Sequence, residues 1–102
     1  MYNISIKTIS FEWDEEKNQT NIKKHGVDFL EAASIFDDQF AILFDDPDHS
    51  KEEDRFLIIG VSENDRMCIV SHCYKASEER IRIISARQAD KQEREVYNEQ
   101  FR

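Results

Sequence analysis

Three apolar runs decide the fold: Arg55-Phe56-Leu57-Ile58-Ile59-Gly60-Val61, Met67-Cys68-Ile69-Val70-Ser71-His72-Cys73-Tyr74 and Arg80-Ile81-Arg82-Ile83-Ile84-Ser85-Ala86. Each has the length and the β-branched or aromatic content of a strand. Glu63-Asn64-Asp65 joins the first two and is short enough for a hairpin. Lys75-Ala76-Ser77-Glu78-Glu79 joins the second to the third. One step upstream, Phe40-Ala41-Ile42-Leu43-Phe44 is a fourth compact run, and Asp45-Asp46-Pro47-Asp48-His49-Ser50 after it is turn chemistry, with Pro47 presetting φ. Short polar connections between four such runs predict a four-strand antiparallel meander.

The flanks read as helices and one further strand. Ile9-Ser10-Phe11-Glu12-Trp13 alternates apolar and polar, as a short strand does. Asp14 is an N-cap, Glu15 and Glu16 suit the positive end of a helix, and Gly26 offers a left-handed terminus after Lys24-His25. This helix is mostly polar, and Lys17, Asn21 and Lys24 fall on one stripe. Asp28 caps a second helix over 29–37, with Phe29, Ala32, Ala33 and Phe36 as its apolar face. Residues 89–101 form a charged C-terminal helix held by Val96, Tyr97 and Phe101. The expected class is α+β, in the order β-α-α-β-β-β-β-α, with residues 1–8 as an extension of no assigned role.

A chain of 102 residues suits one domain, and two glycines with one proline leave nothing that reads as a linker. No stretch approaches the roughly 18 apolar residues that span a bilayer, and no secretion signal is visible. Cys68 and Cys73 are too far apart along one strand for a disulfide, and their odd spacing sends them to opposite faces. They read as buried thiols in a reducing cytoplasm. The net charge of −8 is uneven: residues 28–54 hold ten acidic side chains and one basic, whereas residues 55–102 hold eight acidic and nine basic. Cations therefore remain available at both ends of the chain, and the acidic middle suits a solvated surface or a basic partner.

Three segments in series carry a resemblance. They are Phe11-Glu12-Trp13-Asp14 with Lys17, Asn21 and Lys24-His25-Gly26-Val27; Asp45-Asp46-Pro47-Asp48-His49-Ser50 leading to Glu53-Asp54-Arg55-Phe56; and Arg82-Ile83-Ile84-Ser85-Ala86-Arg87 followed by Glu93 and Tyr97. In that order and spacing the chain resembles the BrnT toxins of type II toxin–antitoxin systems, from Phe11 to Tyr97. The resemblance implies a RelE-like fold and a ribonuclease that needs no metal or other cofactor. It also implies a ribbon-helix-helix antitoxin (BrnA-like) as partner, contacting operator DNA and repressing the operon. The acidic balance departs from what an RNA-cutting toxin would carry.

Metal-free cleavage of RNA uses the adjacent 2′-hydroxyl as nucleophile, so the protein must take that proton, steady a phosphorane and protonate the leaving 5′ oxygen. His25 has the side chain suited to either proton step, against a bland reading as a C-terminal cap of its helix. Arg55 with Glu53 as a base would face the phosphate, or Arg55 would pair with a nearby carboxylate. Arg82 and Arg87 are the expected phosphate contacts, and Lys17, Asn21, Lys24 and Arg80 the expected substrate-binding set, against a solvated helix face and a charged sheet edge. Flat pleating would turn Arg80 and Arg82 to one face and Ile81, Ile83, Ser85 and Arg87 to the other, so a shared site needs a break near Ala86. Tyr97 reads as core with a bonded hydroxyl and His72 as a satisfied sheet histidine.

Asp45, Asp46, Asp48 and His49 lack the spacing and the glycine of a cation loop, so turn chemistry accounts for them. Two other functions compete: a non-catalytic module that binds a DNA-binding repressor, which the −8 charge favours, and a general nucleic-acid binder. The second is disfavoured by cations scattered among acids.

Overall fold

The computed structural model describes residues 2–4, 7–48, 54–75 and 79–102. Strand β1 (Tyr2–Ile4) pairs antiparallel with β2 (Lys7–Glu12), so Tyr2–Ile4, Lys7 and Thr8, which fall within the expected extension, contribute sheet. Helix α1 (Glu15–His25) begins at Asp14, whose carboxylate accepts from Glu16 N and Lys17 N, and ends at Gly26 with φ of 71°. Helix α2 (Phe29–Ser34) is capped by Asp28 and runs into a 3₁₀ turn, Ile35–Asp37. Strands β3 (Ile42–Asp45), β4 (Arg55–Val61), β5 (Met67–Lys75) and β6 (Arg80–Gln88) follow, and then α3 (Lys91–Asn98). The order is ββααββββα, one strand longer than expected.

The strands form one mixed sheet in the order β1-β2-β6-β5-β4-β3. Successive pairs from β3 to β6 are antiparallel, but β2 adds parallel to β6 over Ser10–Arg80, Phe11–Ile81 and Glu12–Arg82. The four antiparallel strands expected are β3 to β6, and they sit within a larger, mixed sheet. The helices between β2 and β3 provide the crossover that a parallel neighbour requires.

Both faces are covered. On one, Val27, Phe29, Ala32, Ala33 and Ile35 pack with Ile58, Cys68, Val70, Ile83 and Ala86. Gly60 is needed for this approach, since a Cβ there would meet Ile35 Cγ2 at 2.5 Å. On the other, Tyr97 of α3 packs against Ile59 and Ile69 and donates its hydroxyl to Asp38 Oδ2 at 2.7 Å. Cys68 is buried in the first cluster, where burial raises its thiol pKa to about 11. Cys73 is also buried.

Helix α1 is mostly polar and docks without an apolar stripe. Buried Asn18 accepts from Phe29 N at 2.9 Å. Buried Asn21 donates to Val27 O at 2.8 Å and to Ala86 O at 2.9 Å, and accepts from Ala86 N at 3.1 Å. β2 pairs with β6 only as far as Arg82, and Asn21 supplies the missing edge partner beyond it. At the hairpin end, buried Glu31 pairs with Arg66 and accepts from Ser62 Oγ at 2.7 Å, tying α2 to the β4–β5 turn. Among the described residues no helix is long and apolar enough to cross a membrane.

Candidate active site

The arginines share a face because β6 does not stay in flat register. Ser71 of β5 pairs with Ser85, but the next residue, His72, pairs with Ile83, leaving Ile84 as an extra residue on β6. A bulge of this kind shifts the alternation by one. Ile81, Ile83 and Ala86 are consequently all buried on the side of α2, while Arg82, Ser85 and Arg87 turn to the opposite side. The face assigned to Ser85 and Arg87 by flat pleating is corrected, and the break lies at Ile84, two residues before Ala86.

Register then arranges three rows across the sheet. Glu12, Arg82, Cys73 and Arg55 form the first, Ser85, Ser71, Leu57 and Phe44 the second, and Arg87, Ile69, Ile59 and Ile42 the third. Arg55, Arg82 and Arg87 thus project from one face. The outer rows are four β5 residues apart, or about 13 Å. Side chains as long as arginine bridge most of that gap.

His25 comes to this face from the side. Helix α1 lies along the open edge of β6, and its last residue lines a hollow of about 200 Å³ with Leu57, Ile69, Ser71, Ser85, Ala86 and Arg87. A second, open groove of about 760 Å³ adjoins it, where Lys17, Lys24 and His25 face Ile84 and Ser85. His25 and Ser85 belong to both. Asn21 also borders the groove, but its amide is committed to Val27 and Ala86, so its place is structural.

Each cation has a defined setting. Arg87 donates to Glu93 through two bonds of 2.8 Å, and Glu93 Oε1 also accepts from Asp90 N in the capping box that starts α3. The hydrogen bond to Glu93 raises the pKa of Arg87, and the same bond draws the Glu93 carboxyl below its ordinary range. Arg80 and Arg82 lean on the two oxygens of Glu12 at 3.3 and 3.7 Å. Arg80 lies opposite Ser10 at the far end of the strand and lines neither hollow. Arg55 is partly buried and interacts with its surroundings. Glu53 and His49 lie outside the described residues. Lys17 and Lys24 are exposed on α1.

Ser71, Ser85, Glu12 and Glu93 are part of this region and were not among the expected site residues. Glu12, Ser85 and Glu93 stood within the quoted segments, whereas Ser71 carried no signal. His72 departs from the satisfied histidine expected of it. Its Nδ1 lies 3.2 Å from Val70 O, but Nε2 is buried and has no partner among the described residues, amid the rings of Phe36, Phe56 and Tyr74. Asp46 Oδ1 accepts from Asp48 N at 3.1 Å, the turn bonding expected of that segment. Among the described residues no three His, Cys, Asp or Glu side chains gather as a metal site.

These features define a small α+β domain whose mixed sheet carries four arginines, Arg55, Arg80, Arg82 and Arg87, on one face and a helix-borne histidine at its margin. Residues 13–93 match the family model described as "Ribonuclease toxin, BrnT, of type II toxin-antitoxin system". The chain belongs to this family of ribonuclease toxins, whose type II systems pair the toxin with a cognate antitoxin. Among solved structures, the 1.1 Å crystal structure of the Brucella abortus ribonuclease toxin BrnT is similar, with 30% identity and a TM-score of 0.63 over 82% of this chain and 100% of that one. No curated protein sequence matches.

Proposed function

We propose that the chain is a RelE-like endoribonuclease that cleaves RNA without a metal, on the sheet face where His25 adjoins Arg87. The observation that carries this reading is the β6 bulge, which turns Arg82, Ser85 and Arg87 to the side on which His25 lines a hollow. In the proposed reaction the substrate's 2′-hydroxyl attacks its own phosphorus as His25 exchanges a proton with one of the two reacting oxygens. The P–O5′ bond breaks, leaving a 2′,3′-cyclic phosphate and a 5′-hydroxyl. Arg87, supported by Arg82 and Arg55, faces the extra negative charge of the phosphorane, where preorganised cations contribute most. Lys17 and Lys24 border the adjoining groove and suit the neighbouring phosphates. Glu53 is retained as a second proton-transfer group and Arg80 as an outlying phosphate contact, on the family resemblance alone.

The cognate antitoxin is proposed to be a ribbon-helix-helix protein that halts growth inhibition and, with the toxin, represses the operon. A non-catalytic partner-binding module is the second reading. It is favoured by the carboxylates that already occupy the arginines, Glu12 beside Arg80 and Arg82 and Glu93 on Arg87.

Purified chain incubated with single-stranded RNA in EDTA decides between them. Cleavage giving cyclic phosphate ends, reduced about 100-fold or more in His25→Ala at unchanged thermal midpoint and in Arg87→Ala at temperatures where that variant is folded, is the expected result. Intact RNA with the unmodified chain would establish the interaction module instead.

A further inference from the structure

Among the described residues the sheet ends in a strand of three apolar residues and Asp45 that pairs on one side only and is set among acids. β3 is the terminal strand of the sheet, and among the described residues it pairs only with β4. Asp46 N donates to Arg55 O, so in this register the bonded pairs are Asp46–Arg55, Phe44–Leu57 and Ile42–Ile59. The N–H and C=O groups of Leu43 and Asp45 therefore point away from the sheet. Leu43 is 50% exposed, and of the devices that ordinarily keep an edge from pairing the strand has its short length and the charge of Asp45 but no lysine, proline or bulge within it.

Apolar surface continues beside it. Phe40 and Phe101 are 44% and 56% exposed, and their rings stack edge-on at 5.1 Å. Gln100 Nε2 donates to Phe40 O at 2.9 Å and holds the C-terminal turn against the start of β3. Residues in this arrangement leave water only if a partner covers them. Exposed Asp37 precedes the strand, and Asp45, Asp48 and Asp54 are exposed at its other end. A second copy of the chain would bring the same acids and a further −8 charge to the contact, which opposes self-pairing.

We propose that the β3 edge, with Phe40, Leu43 and Phe101, is the docking surface for the cognate antitoxin, which adds an extended segment alternating apolar and basic side chains. Main-chain bonds to Leu43 and Asp45 give such a segment its register, its apolar side chains cover the two rings, and its cations meet the acids. This inference rests on the pairing of the toxin with an antitoxin and is independent of catalysis.

The test uses the full chain and the antitoxin encoded beside it. Leu43→Lys and Phe101→Lys each place a cation where a basic segment would lie. Each is expected to weaken antitoxin binding about 30-fold or more, the loss typical of a hot-spot contact, with thermal midpoint and RNA cleavage by the free chain unchanged. Hydrogen exchange of the unmodified complex is expected to protect the amides of Leu43 and Asp45. Binding within threefold of the unmodified chain, or protection confined to other strands, overturns the inference. So does a dimer of the chain alone that the same variants dissociate, because a second copy would then be the occupant. Protection at β3 with no RNA cleavage sustains this surface while defeating the proposed activity, and cleavage without that protection does the reverse.

Discussion

Arg87 and Glu93 form a two-pronged pair, Nη1 to Oε1 and Nη2 to Oε2, each at 2.8 Å. Nη1 also donates to Gln88 O at 3.3 Å. Three of the five guanidinium N–H groups are thereby used, and two remain for a phosphate. Because Glu93 also closes the capping box of α3, the start of that helix sets the direction of an arginine on the sheet. Glu93→Gln keeps the shape and removes the charge. The side chains are 43% and 21% exposed, so solvent screening limits the stability loss to about 1 kcal/mol. Cleavage is expected to fall about tenfold as the guanidinium loses its fixed direction. Thermal melts and single-turnover cleavage of this variant check both.

Asn21 fastens the histidine-bearing helix to the arginine-bearing strand. Asn21→Ala leaves Ala86 N–H, Ala86 C=O and Val27 C=O without their partner in a buried place. An unsatisfied buried group costs about 1–3 kcal/mol, and partial relaxation gives an expected total of about 3 kcal/mol. Cleavage measured well below the melting range should fall further than in a variant of equal stability altered on the opposite face of the sheet, such as one truncated at Ile35. Equal activity in the two would remove Asn21 from any part in aligning the site.

The sequence made the caps and most strands legible, because their signals are local. Asp14, Gly26 and Asp28 mark helix ends by side-chain or backbone chemistry that needs no distant partner. The run 55–61 matches β4 at both ends. What escaped depends on register and partners. The bulge at Ile84 has no glycine to announce it, and it reverses the face of every later residue on β6. The parallel pairing of β2 with β6 likewise joins residues about 70 positions apart, as Ser10 and Arg80 are. Asn21 lay on a stripe with two lysines and read as surface, because the backbone groups of Ala86 that bury it belong to the other end of the chain.

The Glu31–Arg66 pair predicts a stability effect away from the site. Glu31 is nearly buried, with its side chain 5% exposed, and receives Arg66 Nε at 2.9 Å. The hydrogen bond from Arg66 is the chief cause that draws its pKa down, against the opposing effect of burial. Arg66→Ala strands that carboxylate and also frees Gly26 O. The expected loss is about 2–3 kcal/mol, below the usual range for a broken buried pair because the arginine is one-third exposed. Chemical denaturation should register it, with little change in cleavage rate at temperatures where the variant is folded.

His72 predicts how stability responds to acid. Burial depresses its pKa from 6.5 to about 4, against the opposing bond to Val70 O. Between those values the unfolded chain binds a proton that the folded one does not, so stability rises with pH across that window and is lost as pH falls from 6.5 toward 4. A shift of that size corresponds to about 3 kcal/mol at the acid end. Glu31, Asp38 and Glu93 also have lowered pKa values and lose their contributions at lower pH still, below the ordinary carboxylate range. His72→Phe removes the titrating ring and leaves an aromatic among Phe36, Phe56 and Tyr74. Its melting temperature should vary less between pH 7 and 5 than that of the unmodified chain. The same slope in both proteins over that interval would place the acid sensitivity elsewhere.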